Sequence, residues 1–219
     1  LIPKKNQSTG KYEYESVIHD LVFPRHTTSM NLDFDNRYFD KQNLWLLDEK
    51  LAYHSYLASD ISLNGKKDGN RPDILVAFDH TLVWTDDKKQ PYQSIVLVEF
   101  KRPMRNDYSS NDIDKDPIKQ LFSYIDDLKS GKAIDKDGSS VIISGNCRFY
   151  CYLVCDLSPN LKKIIPRKGF FESTYDNLGY YGFNKDYSAY FEVISFRKLL
   201  QDAQQRNRIL FDKLCLVTK

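Results

Sequence analysis

The chain has 219 residues, 41% of them hydrophobic and 28% charged, a balance that supports one large globular domain with a real core and excludes a disordered chain. Fifteen Tyr and thirteen Phe should line much of that core and some of the surface with rings. A net charge of +2 excludes a sequence-wide positive field while leaving room for a local basic groove, and no apolar run approaches the ~20 residues that a bilayer-spanning helix needs.

Residues 1–11, with PKKNQSTGK, read as a linker or a cut edge, as in a piece of a longer protein, and residues 12–219 as one domain. The N-terminus lacks the apolar stretch of a secretory signal, so a cytoplasmic location is the default expectation. YEYESVIHDLVF has apolar residues near helical spacing and is closed by Pro24. NLWLLDEKLAYHSYL repeats Leu44, Leu47 and Leu51 at helical spacing and predicts a second helix against the core. SLNGKKDGN is a loop by composition.

DILVAF and SIVLVEF then change the pattern. Both are short, Val/Ile-rich and apolar on both faces, as central strands of a covered sheet are, and the turn chemistry of TDDKKQP joins them into a hairpin. DPIKQLFSYIDDLKSG predicts a helix with Asp116 as N-cap, Pro117 at the first position and Gly131 just past the end. RFYCYLVCDL is a further strand, YYGFNKDYSAYFEVISF reads as extended structure, and RKLLQDAQQRNRILFDKLCL is a closing amphipathic helix. Four cysteines sit at 147, 151, 155 and 215. On a strand the first three share a face with Phe149 and Leu153, as small buried hydrophobes would, and they lack the close paired spacing of a zinc site.

The hairpin carries the chemistry. Ile95, Leu97, Glu99 and Lys101 share one side of a strand, so two charges extend an apolar face. Asp73, Leu75 and Ala77 share a side of the preceding strand, and a tight turn near residue 87 sets Asp73 opposite residues 99 to 101. Two carboxylates and an ammonium at one sheet edge are not a requirement of folding. Mg²⁺ or Mn²⁺ resolves the conflict, held by Asp73, Glu99 and a main-chain carbonyl such as that of Phe100. Lys101 would then orient or help deprotonate an attacking water.

RPD, 25 intervening residues and EFK resemble the motif of the PD-(D/E)XK nuclease superfamily. The order helix, hairpin, helix, strand is also similar, over about residues 40–160. QLFSY resembles the Gln-x-x-x-Tyr helix of the RecB-like and phage-exonuclease branch, with Gln120 and Tyr124 one turn apart on one face. The resemblance implies an α/β, restriction-endonuclease-like core, a central mixed β-sheet flanked by helices, with helical additions at both ends. It implies Asp73 and Glu99 as metal ligands, Lys101 as a catalytic residue, and Gln120 and Tyr124 near the metal or the nucleic-acid strand. Members of the superfamily also draw an acid from the helix before the hairpin, which points to Glu49, with Asp48 and Glu15 open as alternatives. More loosely, NLWLLDEKLAYHSYLASD followed by RPDIL resembles a nuclease-like domain at the C-terminal end of bacterial ATP-binding proteins, which implies an N-terminal ATPase in the parent chain.

Arg102 and Arg105, just beyond the motif, present guanidinium forks suited to phosphates, or form an ordinary exposed loop. The basic LKKIIPRKGF lines a groove or forms a solvated turn. His19, His26, His54 and His80 lie scattered without metalloprotease spacing. The expected function is metal-dependent hydrolysis of DNA. A catalytically silent module that binds nucleic acid or a protein is the alternative, and a contact surface made by the aromatic segment 170–196 is a third.

Overall fold

A computed structural model of the chain describes residues 15–29, 42–52, 56–65, 69–78, 91–134 and 138–213. The two apolar runs of the hairpin become β3 (Ile74–Phe78) and β4 (Tyr92–Phe100), antiparallel, and the expected turn between them falls outside the described residues. Their odd-numbered residues Leu75, Ala77, Ile95 and Leu97 enter one hydrophobic cluster, while Ile74, Val76, Val96 and Val98 enter a second on the opposite face. Both faces are therefore covered, as the unbroken apolar runs require.

The remaining elements extend this pair on either side. The helix α1 (Glu15–Val22) leads into β1 (Thr27–Thr28), and β2 (Tyr56–Ser59) pairs antiparallel with both β1 and β3. After β4 comes α2 (Pro117–Lys129), a crossover to β5 (Ile143–Val154), which lies parallel to β4. Then follow α3 (Pro159–Ile164), β6 (Phe171–Ser173), β7 (Gly179–Asn184), β8 (Ala189–Ile194) and α4 (Phe196–Lys213). The result is a mixed eight-stranded sheet of order β1-β2-β3-β4-β5-β8-β7-β6, flanked by helices. Ile118, Leu121, Ile125 and Leu128 of α2 pack on the first face, and Leu44, Leu47, Leu51 and Leu199 on the second. No helix among the described residues is long and apolar enough to cross a membrane.

Residues 44–52 and 56–59 depart from expectation. The leucine stripe is buried as predicted, but it rides on two 3₁₀ turns, Leu44–Leu46 and Glu49–Ala52, and the presumed end of the helix is β2. Three hydrogen bonds account for the break. The Asp48 carboxylate accepts the amide of Lys50 at 2.9 Å, a local turn that competes with helix continuation. The Arg206 guanidinium donates to the carbonyls of Trp45 and Leu46 at 3.0 and 2.9 Å, taking acceptors that a longer helix would have used itself.

Elsewhere the local signals hold. Asp116 caps α2 by accepting the amides of Ile118 and Lys119 at 3.1 Å each, and Gly131 follows the last turn at φ +69. Cys147, Cys151 and Cys155 are buried along one face with Phe149 and Leu153, and burial pushes the Cys147 thiol up to about 11. The basic stretch 161–170, which begins within α3, is partly structural, since Leu161, Ile164 and Ile165 are core and Lys168 bonds the fully buried Asp116. Asp116 thus caps a helix and neutralises a cation at once. Asp116→Ala should cost about 2–4 kcal/mol in urea unfolding, because it removes the cap and leaves Lys168 unpaired. Asp116→Asn keeps the cap and should cost less, and equal losses for the two variants would assign the whole effect to the charge.

Candidate functional site

Ile74 faces Val98 across the hairpin, and continuing that register by one residue sets Asp73 beside Glu99. Asp73 is fastened there. Its Oδ2 accepts the amide of Phe100 at 2.6 Å, which ties the opening of β3 to the end of β4. Its Oδ1 lies 3.5 Å from Nδ1 of His19 on α1. The His19 ring is 2% exposed, bonds the Ser59 hydroxyl through Nε2 at 2.8 Å and packs against Phe100 with centroids 5.5 Å apart. His19 therefore locks α1, β2 and the Asp73 carboxylate together. The scattered histidines carry no motif, but His19 precedes Val22 and Phe23 by three and four residues and so shares their inward face.

Glu99 is the second carboxylate, only 6% exposed. Its Oε1 accepts the Lys101 ammonium, and its Oε2 accepts the Tyr124 hydroxyl at 3.1 Å. Lys101 is itself 4% exposed, with its amide bonded to the Val154 carbonyl of β5 at 2.9 Å. Burial and the nearby Asp73 charge raise the Glu99 carboxyl to about 7, against the pull of Lys101 and Tyr124 toward the ionised form. A buried acid, a buried amine and a second carboxylate thus meet at one end of the central strands.

The helix α2 supplies the next layer. Tyr124 reaches Glu99, and Gln120 lies one turn nearer the helix start. Gln120 Nε2 donates to the Asp114 carbonyl at 3.5 Å, while its Oε1 is buried without a hydrogen-bond partner among the described residues. Arg102 is half-buried just past Lys101. Arg105 is already engaged, donating to Asp107 at 2.7 Å and to the Asp114 carbonyl at 3.2 Å, so a phosphate would have to displace these contacts. Asp48 instead lines a small cavity with Tyr152, Glu192 and Arg206. The side chains of Glu49 and Glu15 lie outside the described residues.

Asp73, Glu99 and the Phe100 carbonyl offer hard oxygen donors, the chemistry that Mg²⁺ takes when its remaining positions go to water and phosphate. Two carboxylates, one raising the other's proton affinity, are also what a divalent cation would relieve. Among the described residues no group of three His, Cys, Asp or Glu side chains could hold a metal, so any such ion would rest on this pair and main-chain or solvent oxygens.

The raised Glu99 value has a sign that can be checked. A carboxyl that binds its proton more tightly in the folded chain contributes stability below its ordinary 4.5 and loses it as pH rises through about 7. The metal-free protein should therefore become easier to unfold in urea between about pH 5 and about pH 8, and Glu99→Gln should remove most of that change. Carboxyl NMR should find the Glu99 midpoint near 7, and Lys101→Met should move it upward. A midpoint in the ordinary carboxylate range would contradict the buried geometry. Compared with family models, curated proteins and solved structures, the chain matches no family model and has no significant match among the other two.

Proposed function

We propose that the chain is a metal-dependent phosphodiesterase with a PD-(D/E)XK-type, restriction-endonuclease-like core, hydrolysing DNA. The observation that carries this reading is the meeting of Asp73, Glu99 and Lys101 at one end of the hairpin, with Tyr124 of the following helix bonded to Glu99. The succession β3, β4, α2, β5, with β5 parallel to β4, supports it.

In this reading Asp73, Glu99 and the Phe100 carbonyl would hold Mg²⁺ or Mn²⁺. Bound there, the ion would offset phosphate charge and make a water more acidic. Lys101 Nζ donates to the attacking water or to a phosphate oxygen, placing the nucleophile in line with the leaving 3′ oxygen. Water adds to phosphorus as the P–O3′ bond breaks; the water gives up a proton to solvent, and the 3′ oxygen gains one from solvent. Tyr124 keeps the Glu99 carboxylate turned toward the site, and His19 does the same for Asp73.

One observation favours the alternative of a catalytically silent module. Lys101 and Tyr124 already engage both oxygens of Glu99, so the buried acid is satisfied from within the chain. Calorimetric titration with Mn²⁺ separates the two readings. The nuclease reading expects one site, weakened by Asp73→Asn and by Glu99→Gln. It also expects Mg²⁺- or Mn²⁺-dependent cleavage of DNA that Lys101→Met lowers by about two to four orders of magnitude with the fold retained. No heat of binding and no cleavage of DNA or RNA in either metal would leave the silent module.

A further inference from the structure

On the second face, the described helices cover β5 and β8 toward their C-terminal ends. Leu199 and Ala203 of α4 pack there with Val154 and Ile194. Nearer the start of β5, the even-numbered Arg148 and Tyr150 are exposed. Tyr150 of β5 pairs with Tyr190 of β8, and Tyr190 pairs with Phe183 of β7, so three rings stand side by side on one face. Tyr150 and Phe183 are 38% and 46% exposed, and the Tyr150 and Tyr190 centroids are 6.5 Å apart. Beside this row opens a groove of about 650 Å³ lined by Gln93, Ser94, Gly145, Asn146, Arg148 and Tyr150.

The groove's charge is one-sided. Arg148 is exposed, makes no ion pair among the described residues, and has no acidic side chain beside it in the lining. An unpaired guanidinium with five donors, next to amide and hydroxyl groups, complements a phosphate. Exposed ring faces beside it accept unpaired bases, which a duplex keeps inside its stack. Ser94 and Glu99 are five residues apart on β4, ~17 Å along the strand, and have opposite parity. The groove is thus distinct from the carboxylate site in both position and face.

We propose that this groove binds single-stranded nucleic acid, with a base stacked on Tyr150 and the adjoining phosphate held by Arg148. The proposal rests on the nucleic-acid reading above and adds to it an anchoring site that performs no chemistry. It holds a strand away from the site of hydrolysis.

The test uses the whole chain in EDTA, so that cleavage cannot intervene, and follows the fluorescence anisotropy of a short 5′-labelled oligothymidylate. Arg148→Ala should weaken binding and lower the slope of log affinity against log salt by about 0.7. Tyr150→Ala should weaken binding about tenfold, and Tyr150→Phe, which keeps the ring, should restore it. Melting temperatures close to that of the unaltered protein would show that the variants fold. Variants that bind like the unaltered protein would overturn the proposal, as would thymidine monophosphate binding as tightly as the oligomer. Self-association lost in Tyr150→Ala, with no oligonucleotide binding, would assign the face to a second copy and also overturn it. Mn²⁺ calorimetry on the same preparation keeps the two sites separable. Loss of strand binding in the groove variants of a chain that cuts nothing would sustain this proposal while the nuclease reading falls.

Discussion

The bond from the Phe100 amide to the Asp73 carboxylate fixes the rest of the site. β3 and β4 run antiparallel, and this bond closes their register at the end where the strands leave the sheet. Glu99 then has to stand beside Asp73, and Lys101, two residues on, has to lie on the same side as Glu99. A slip of one residue would turn Glu99 and Lys101 to the opposite face. The apolar residues on both sides of β3 and β4 prevent that slip, because it would also exchange the partners of two packed clusters.

The charges so placed are expensive to bury. An isolated carboxylate in a covered sheet loses its hydration, and Glu99 shows that cost in its raised proton affinity. Lys101 and Tyr124 reduce it by bonding one oxygen each. The arrangement is poor economy for stability alone, since well-packed apolar residues of similar volume do as well or better. A site with a chemical task accounts for it more readily. The same reasoning applies in reverse to Asp116, whose full burial is explained by a helix cap and a lysine.

The hairpin, its register and α2 were legible in the sequence because their signals are local: apolar runs, turn residues, and a cap, proline and glycine at fixed offsets. The convergence of Asp73, Glu99 and Lys101 followed from strand alternation together with a hairpin turn near residue 87. What was not legible depends on partners far along the chain. Leucines at helical spacing are equally consistent with 3₁₀ turns, and the choice is made in part by Arg206, 160 residues beyond Leu46. His19 is similarly defined by Ser59 and Asp73, which no spacing rule connects to it. The aromatic segment divides between the two outcomes. Phe170, Phe171 and Phe191 turn inward with Phe122, while Tyr181 and Phe183 turn out. Alternation does not show which face the helices cover, and Phe170 and Phe171, adjacent in the chain, both pack against Phe191.

The central claim is that residues 73 and 99 share one divalent ion. Crystals grown with Mn²⁺ and a short DNA, measured at the manganese absorption edge, address it directly. A single anomalous peak within bonding distance of both carboxylates, with the Lys101 amine turned from Glu99 toward a phosphate, is the predicted result. Crystals that bind manganese elsewhere or nowhere, with Lys101 still bonded to Glu99, would contradict it.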